Sequence, residues 1–162
     1  MIKQVIVMRT VYPLESGSKK IRRGKEIAQA CHASLSFLTR KIQALLDRDI
    51  KESVREFFAR RPFDDPAEAY VAGFMSAIEL LNISATEREW IDGIFTKICL
   101  KVESEEELLE IEKKAMEKGL RCHVITDRGL TEFKGVPTIT CLALGPDRAE
   151  KIDEITRGLE LY

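Results

Sequence analysis

The segment that follows Gly24 carries polar side chains at a spacing that suits a binding site. At about 100° per residue, four of them share one stripe, about 60° wide, along a predicted helix. These residues are Lys25, Gln29, His32 and Ser36. The stripe begins at the amino-terminal end of the helix, where backbone N–H groups favour anions such as phosphate.

Asp127 is a second candidate, because it directly follows a short apolar strand and precedes Gly129 and Thr131. An aspartate in that position can belong to a site, but it is also common as a turn residue bonded to its own backbone. The hydroxyls of Thr131 and Thr138 are equally common in ordinary loops and strands. The residues alone leave both interpretations open.

The sequence offers no obvious covalent nucleophile. Cys31 and His32 are neighbours on the predicted helix, about 100° apart, so they cannot face one substrate as a thiolate–imidazole pair. No serine stands in a Gly-x-Ser-x-Gly elbow. Water is therefore the expected attacking group. With two histidines and four scattered cysteines, no metal site is expected.

Positive charge is concentrated before the predicted helix. Residues 1–61 have a net charge of +8 and residues 62–162 a net charge of −9. Cations at a helix amino terminus oppose its macrodipole unless an anion completes the cluster. The cations in question are Lys19, Lys20, Arg22 and Arg23. A polyanion partner explains them, but so do side chains that simply extend into water, and charge counts alone do not decide.

Hydrophobic patterning predicts the order β-α-(α-α-α)-β-α-β-β-α. The first helix has an apolar stripe that includes Ile27, Cys31 and Leu35, predicted to face the core. Residues 10–24 and 126–137 are predicted loops. Strands are predicted at 5–8, 94–102, 122–125 and 138–144, and helices at 25–46, 49–58, 65–81, 84–93, 104–118 and 147–158.

Several helix starts carry capping signals. These are Asp65 before Pro66, and the pairs Ser84 with Glu87, Ser104 with Glu107, and Asp147 with Glu150. Strands joined through helices are normally parallel, so the first three should be parallel and the fourth antiparallel. The predicted fold is a three-layer α/β/α domain around a small four-stranded mixed sheet, with its site at the carboxyl ends of the strands.

Composition bounds the class of protein. The 162 residues are 44% hydrophobic and 33% charged, which excludes a disordered chain and an integral membrane protein. No apolar run approaches the ~20 residues that span a bilayer, and no secretory signal is recognisable. We expect a single cytoplasmic domain, residues 1–162, with its cysteines reduced.

Five segments in order resemble the archaeal and eukaryotic-type (second-class) peptidyl-tRNA hydrolases. They are Arg23–Ala33, Ile125–Thr131, Gly135–Thr138, Cys141–Pro146 and Ile152–Gly158. The resemblance covers residues 1–46 and about 87–162, and implies hydrolysis of the ester between a peptidyl group and the terminal ribose of tRNA. It further implies no metal or other cofactor, tRNA as the partner, a homodimer in many members, and no membrane.

The resemblance also implies roles for particular residues. The catalytic set would be Lys25, Asp127 and Thr131. The substrate-binding set would be Gln29, His32 and Thr138. The set that binds tRNA phosphates would be Lys19, Lys20, Arg22 and Arg23.

Three features depart from the family pattern. Val11 stands where the family usually has an acidic residue, and Arg128 replaces an alanine beside Asp127. Arg128 would either pair with Asp127 and weaken it as a base, or bind phosphate. Residues 47–86 form a predicted helical insert, either a cover for core or dimer surface or, with Arg60-Arg61, a lid or tRNA contact. The alternative function is a tRNA-binding or interaction module of the same fold that lacks hydrolysis. A third option is hydrolysis of another acyl or amide substrate.

Overall fold

The computed structural model describes residues 1–14, 17–46, 56, 59 and 65–162. The chain forms two compact units, one of residues 1–37 with 85–162 and one of residues 38–84. The predicted insert at 47–86 overlaps the second unit, and the helix predicted at 49–58 lies outside the described residues apart from Glu56.

Seven strands and five helices are described. The strands are β1 (Ile2–Arg9), β2 (Tyr12–Leu14), β3 (Gly17–Lys19), β4 (Lys97–Val102), β5 (Cys122–Asp127), β6 (Thr138–Arg148) and β7 (Glu160–Leu161). The helices are α1 (Arg23–Leu46), α2 (Pro66–Leu80), α3 (Ala85–Asp92), α4 (Glu105–Glu117) and α5 (Ala149–Thr156).

The main sheet is mixed and has five strands in the order β5-β6-β1-β4-β7. Among the described strands, only β1 and β4 form a parallel pair, whereas β6 is antiparallel to both β1 and β5. The predicted four strands with three parallel therefore need correction, because β7 adds an edge strand and β6 separates β5 from β1. Since β5 still runs in the direction of β1, both strands end at the same edge of the sheet.

Each face of the sheet packs on different helices. On one face, the core joins β1, β4 and β6 to α4 and α5, and includes Val5, Leu108, Leu142 and Ile152. On the other face, Ile6, Met8, Cys141 and Ala143 pack against Ala30 and Ala33 of α1. Small residues on α1 allow the helix to lie close to the sheet.

The predicted orientation of α1 is wrong. Ile27 is 58% and Leu35 52% exposed, and Cys31 is also exposed. The helix instead buries Gln29 and Ser36 from the polar stripe, together with Ala33 and Phe37. The Ser36 side chain can face inward because its hydroxyl donates to the Ala33 carbonyl oxygen of the same helix, 2.6 Å away.

Several predicted boundaries also change. The predicted loop at 10–24 contains the β2–β3 hairpin, and α1 begins at Arg23. The strand predicted at 94–102 begins at 97, after Phe95 adopts a positive φ of 56°. The strand predicted at 138–144 continues through Gly145-Pro146 to Arg148.

The capping predictions have mixed outcomes. Ser104 and Glu107 form the capping box of α4, and the Asp65 carboxylate accepts from the Ala67 backbone N–H, as predicted. At the start of α5, Arg148 takes the capping position without a side-chain hydrogen bond.

Among the described residues, none of the helices combines the length and the apolar character that a membrane span requires.

Two neighbouring leucines of α4 test this packing. Leu108 is fully buried and Leu109 is 41% exposed. We expect Leu108→Ala to lower the free energy of unfolding by about 2–5 kcal/mol, because it leaves a cavity in the core. Leu109→Ala, the matched control, should change it by about 0.5 kcal/mol or less. Urea unfolding measures both values, and similar losses would contradict the placement of α4.

Candidate functional site

The carboxyl end of β5 and the first turn of α1 bring together side chains that are about a hundred residues apart. The Nζ of Lys25 contacts and donates to Oδ2 of Asp127. The Nε2 of Gln29 donates to the same oxygen over 2.9 Å, and Lys25 Nζ lies 3.3 Å from Oγ1 of Thr131. The Lys25 and Asp127 side chains are 17% and 11% exposed, so the pair is mostly buried but still partly open to solvent.

Asp127 stays ionised because its hydrogen bonds outweigh its burial. Burial acts to raise its pKa, but donors from Lys25, the Gly129 backbone and Gln29, together with the Lys25 charge, hold its pKa below the ordinary value. The Gly129 N–H donates to Oδ1 over 2.8 Å. The turn-forming role and the site role of Asp127 thus coexist, one at each carboxylate oxygen.

Thr140, which the sequence interpretation missed, fixes the orientation of Gln29. Its hydroxyl donates to Oε1 of Gln29 over 2.8 Å, so the amide NH₂ group must face Asp127. Gln29 is 3% exposed and Thr140 is fully buried. Thr138, the predicted residue, instead donates to the Val136 carbonyl oxygen.

A bulge in β6 explains why the alternation of the strand did not reveal Thr140. Ile125 pairs with Cys141 and Thr126 with Ile139, which leaves Thr140 as the extra residue. A bulge redirects a side chain that a regular strand would place elsewhere. The available signal was only that two threonines stand two residues apart at the start of a strand.

The two ends of the β5–β6 loop approach each other closely at Gly129, which lies against the backbone of Val136. Gly129 has a φ of +81°, and a Cβ there would lie 2.3 Å from the Val136 carbonyl oxygen. The Gly135 N–H donates to the Gly129 carbonyl oxygen over 2.9 Å. The close approach presents Thr131 beside Lys25, and only glycine fits it.

Other predicted residues lie apart from this cluster. His32 is exposed on α1, and within the described chain no hydrogen bond joins it to Lys25, Gln29 or Asp127. Arg128 is exposed, and the hydrogen bonds of Asp127 come from other residues.

The predicted phosphate-binding residues are placed around the start of α1. Lys20 and Arg23 are exposed, and Lys19 belongs to β3. The Nε of Arg22 donates to Glu132 Oε1 over 2.8 Å, although the Arg22 side chain remains 79% exposed. This ion pair ties the start of α1 to the β5–β6 loop.

Val11 stands two residues after the buried Arg9, where the resemblance led us to expect an acidic residue. Its carbonyl oxygen accepts from Arg9 Nε over 2.8 Å, and Glu105 of α4 accepts from Arg9 Nη1 over 2.7 Å. A carboxylate from elsewhere in the fold thus pairs with this arginine, so the departure at residue 11 leaves no uncompensated buried charge.

Known proteins resemble this chain over its whole length. Residues 2–162 match the family model described as peptidyl-tRNA hydrolase PTH2. A peptidyl-tRNA hydrolase of Nanoarchaeum equitans is 36% identical over 162 residues, covering all of both chains. One of Methanopyrus kandleri is 34% identical over 161 residues, covering 99% of this chain and 98% of the relative. One of Methanococcus maripaludis strain C6 is 30% identical over 161 residues, covering 99% of each.

The ion pair predicts a shifted titration of Asp127. Its pKa should lie below the ordinary value of about 3.9. The pKa should rise in Lys25→Met, because the ammonium group that counteracts the effect of burial is then absent. Its contribution to stability should be complete above about pH 4 and be lost as the pH falls through the lower, folded-state pKa. Carboxyl-carbon NMR measures this titration.

Lys113→Met, on the exposed side of α4, is the matched control and should leave the Asp127 titration unchanged. Equal midpoints in the wild type and Lys25→Met would show that the ammonium group does not act on this carboxylate.

The tight approach at Gly129 predicts unequal effects of two alanine substitutions in one loop. Gly135 has a φ of +82° with nothing near its Cβ position, so Gly135→Ala should cost about 1–2 kcal/mol from the backbone alone. Gly129→Ala adds overlap with Val136 and should cost about 1–3 kcal/mol more. Urea unfolding compares them, and equal losses would mean that the loop moves aside freely.

Proposed function

Because the chain belongs to the peptidyl-tRNA hydrolase PTH2 family, we propose that it hydrolyses peptidyl-tRNA at the ester between the peptidyl group and the terminal ribose. The observation that carries the proposal is the partly buried contact between Lys25 and Asp127. A function in translation would place the protein in the cytoplasm, where tRNA is found.

Water is the attacking group in this proposal. Asp127 orients a water molecule and accepts its proton as the water oxygen bonds to the ester carbonyl carbon. Lys25 stabilises the negative charge that develops on the carbonyl oxygen. The ester bond then breaks, and the ribose oxygen leaves with the proton that Asp127 had accepted.

The ion pair also gives a reason for Asp127 to become a stronger base when substrate binds. In the resting site, the Lys25 ammonium lowers the pKa of the carboxyl group. As this ammonium turns towards the carbonyl oxygen of the substrate, Asp127 loses its charged donor, and its pKa rises. Proton acceptance is thereby coupled to the presence of the ester.

Gln29 and Thr131 have different places in this mechanism. Both ends of the Gln29 amide are engaged, one by Thr140 and one by Asp127, so Gln29 is a positioning residue for the carboxylate. Thr131 is exposed beside Lys25 and can hydrogen-bond the ester end of the substrate. Lys20 and Arg23 are available for tRNA phosphates, since both are exposed at the start of α1.

The alternative, a tRNA-binding module without hydrolysis, rested on Val11 and Arg128. Neither residue disrupts the cluster: Arg9 pairs with Glu105, and Asp127 pairs with Lys25 rather than Arg128. The geometry therefore favours hydrolysis over binding alone.

Two conservative variants test the proposed roles. Asp127→Asn and Lys25→Met should each lower kcat for N-acetyl-leucyl-tRNA by about a hundredfold or more, because each removes a charged group from the reaction. The measurement is release of free tRNA by the purified protein in the presence of a metal chelator. Circular dichroism checks that the variants remain folded.

Lys113→Met serves as the control for a lost lysine and should keep the wild-type rate. Unchanged turnover in both site variants would reject the assigned roles. Binding of tRNA by the wild type with no cleavage would instead support the module without hydrolysis.

A further inference from the structure

A groove of about 640 Å³ lies on the side of α1 that faces away from Asp127. One wall is the first two turns of α1, including Ile27 and Ala30, and the other is the sheet, including Met8 and Cys99. Tyr162 borders it, with its backbone N–H bonded to the Cys99 carbonyl oxygen over 3.1 Å. The buried cluster under α1 contains residues of β1, β5 and β6, whereas the groove also reaches β4 at Cys99 and Lys101.

The groove combines apolar surface with a cationic mouth. Ile27 is 58% and Tyr162 48% exposed, so an apolar side chain and an aromatic ring are open to a ligand. The Tyr162 hydroxyl donates to the Glu26 carboxylate, so the acidic side chain on this wall of the groove already has a hydrogen-bond donor. Lys20 and Arg23 also line the groove, and within the described chain neither has an ion-pair partner. The surface therefore suits an anion that carries flat or apolar groups.

The groove and the catalytic cluster flank the same end of one helix. Lys25 and Gln29 point to one side of α1, whereas Arg23, Ile27 and Ala30 border the groove on the other. A helix with its side chains is only about 10–12 Å across. A flexible strand that ends at Lys25 can therefore pass around the exposed start of α1 and into the groove.

We propose that this groove binds the unpaired nucleotides that precede the terminal nucleotide of the tRNA acceptor end, an inference that rests on the proposed function. Single-stranded nucleic acid is held by cations along its backbone and by side-chain surfaces against its bases. Lys20 and Arg23 contact the phosphates, and Ile27 and Tyr162 contact the bases. A base-paired helix does not offer its base faces to such a surface, so the groove selects the unpaired end.

Kinetics on two substrates tests the groove. Ile27→Ser and Tyr162→Ser should each raise KM for N-acetyl-leucyl-tRNA by about three- to tenfold, with kcat unchanged, because base contact is weakened. KM for N-acetyl-leucyl-adenosine, which lacks the preceding nucleotides, should not change. Leu35→Ser is the matched control, because Leu35 is 52% exposed on the same helix but outside the groove. Wild-type KM values in both groove variants would overturn the inference and leave the proposed hydrolysis standing.

A native cysteine gives a second readout that does not depend on hydrolysis. Cys99 lines the groove and is exposed, whereas Cys31 is exposed on α1 outside the groove. An RNA minihelix with an unpaired CCA end should slow the alkylation of Cys99 by iodoacetamide and leave that of Cys31 unchanged. Peptide mass spectrometry follows both sites in the wild-type protein.

The same minihelix without its unpaired end should protect Cys99 much less. Equal protection by the two RNAs, or none by either, would overturn the assignment. Protection of Cys99 by the CCA-ended RNA in a protein that does not cleave peptidyl-tRNA would support the groove while the proposed function failed.

Discussion

The contact between Lys25 and Asp127 is the constraint on which the site depends. A largely buried charge is costly unless an opposite charge and hydrogen bonds compensate it. Lys25 and Asp127 compensate each other's charge, and Gln29 and the Gly129 N–H donate further hydrogen bonds to the carboxylate. The ion pair therefore joins the first turn of α1 to the carboxyl end of β5, two segments that only the tertiary fold brings together.

The rotation of α1 about its own axis follows from that contact. With Lys25 on Asp127 and Gln29 between Asp127 and Thr140, the side of α1 that carries Gln29 and Ser36 must face the sheet, while His32 at its margin stays exposed. The apolar stripe that includes Ile27 is then left exposed. One orientation of the helix thus produces both the candidate site and an exposed apolar surface beside it, at the cost of the hydrophobic burial that the sequence pattern favours.

Sequence reasoning anticipated the meeting of Lys25 and Asp127 better than it placed the elements that carry them. Lys25 and Asp127 could be predicted to converge, because helix starts and strand ends meet at one edge of such a sheet. The inward turn of Gln29 could not, since it depends on an acceptor and a donor from other elements. Nor could Thr140, because a bulge breaks the alternation on which strand prediction relies. The two-residue β7 is too short to carry a periodic signal.

The basic segment before α1 packs against the β5–β6 loop, which carries Thr131. The ring of Phe133 packs 5.1 Å from that of Tyr12 and belongs to a buried cluster with Ile21, while Arg22 pairs with Glu132. These contacts join the β2–β3 hairpin region to the loop that carries Thr131. In the proposed function, a phosphate held at the start of α1 would stabilise the same arrangement that holds Thr131 beside Lys25, and nucleic-acid binding would thereby be coupled to ordering of the candidate site.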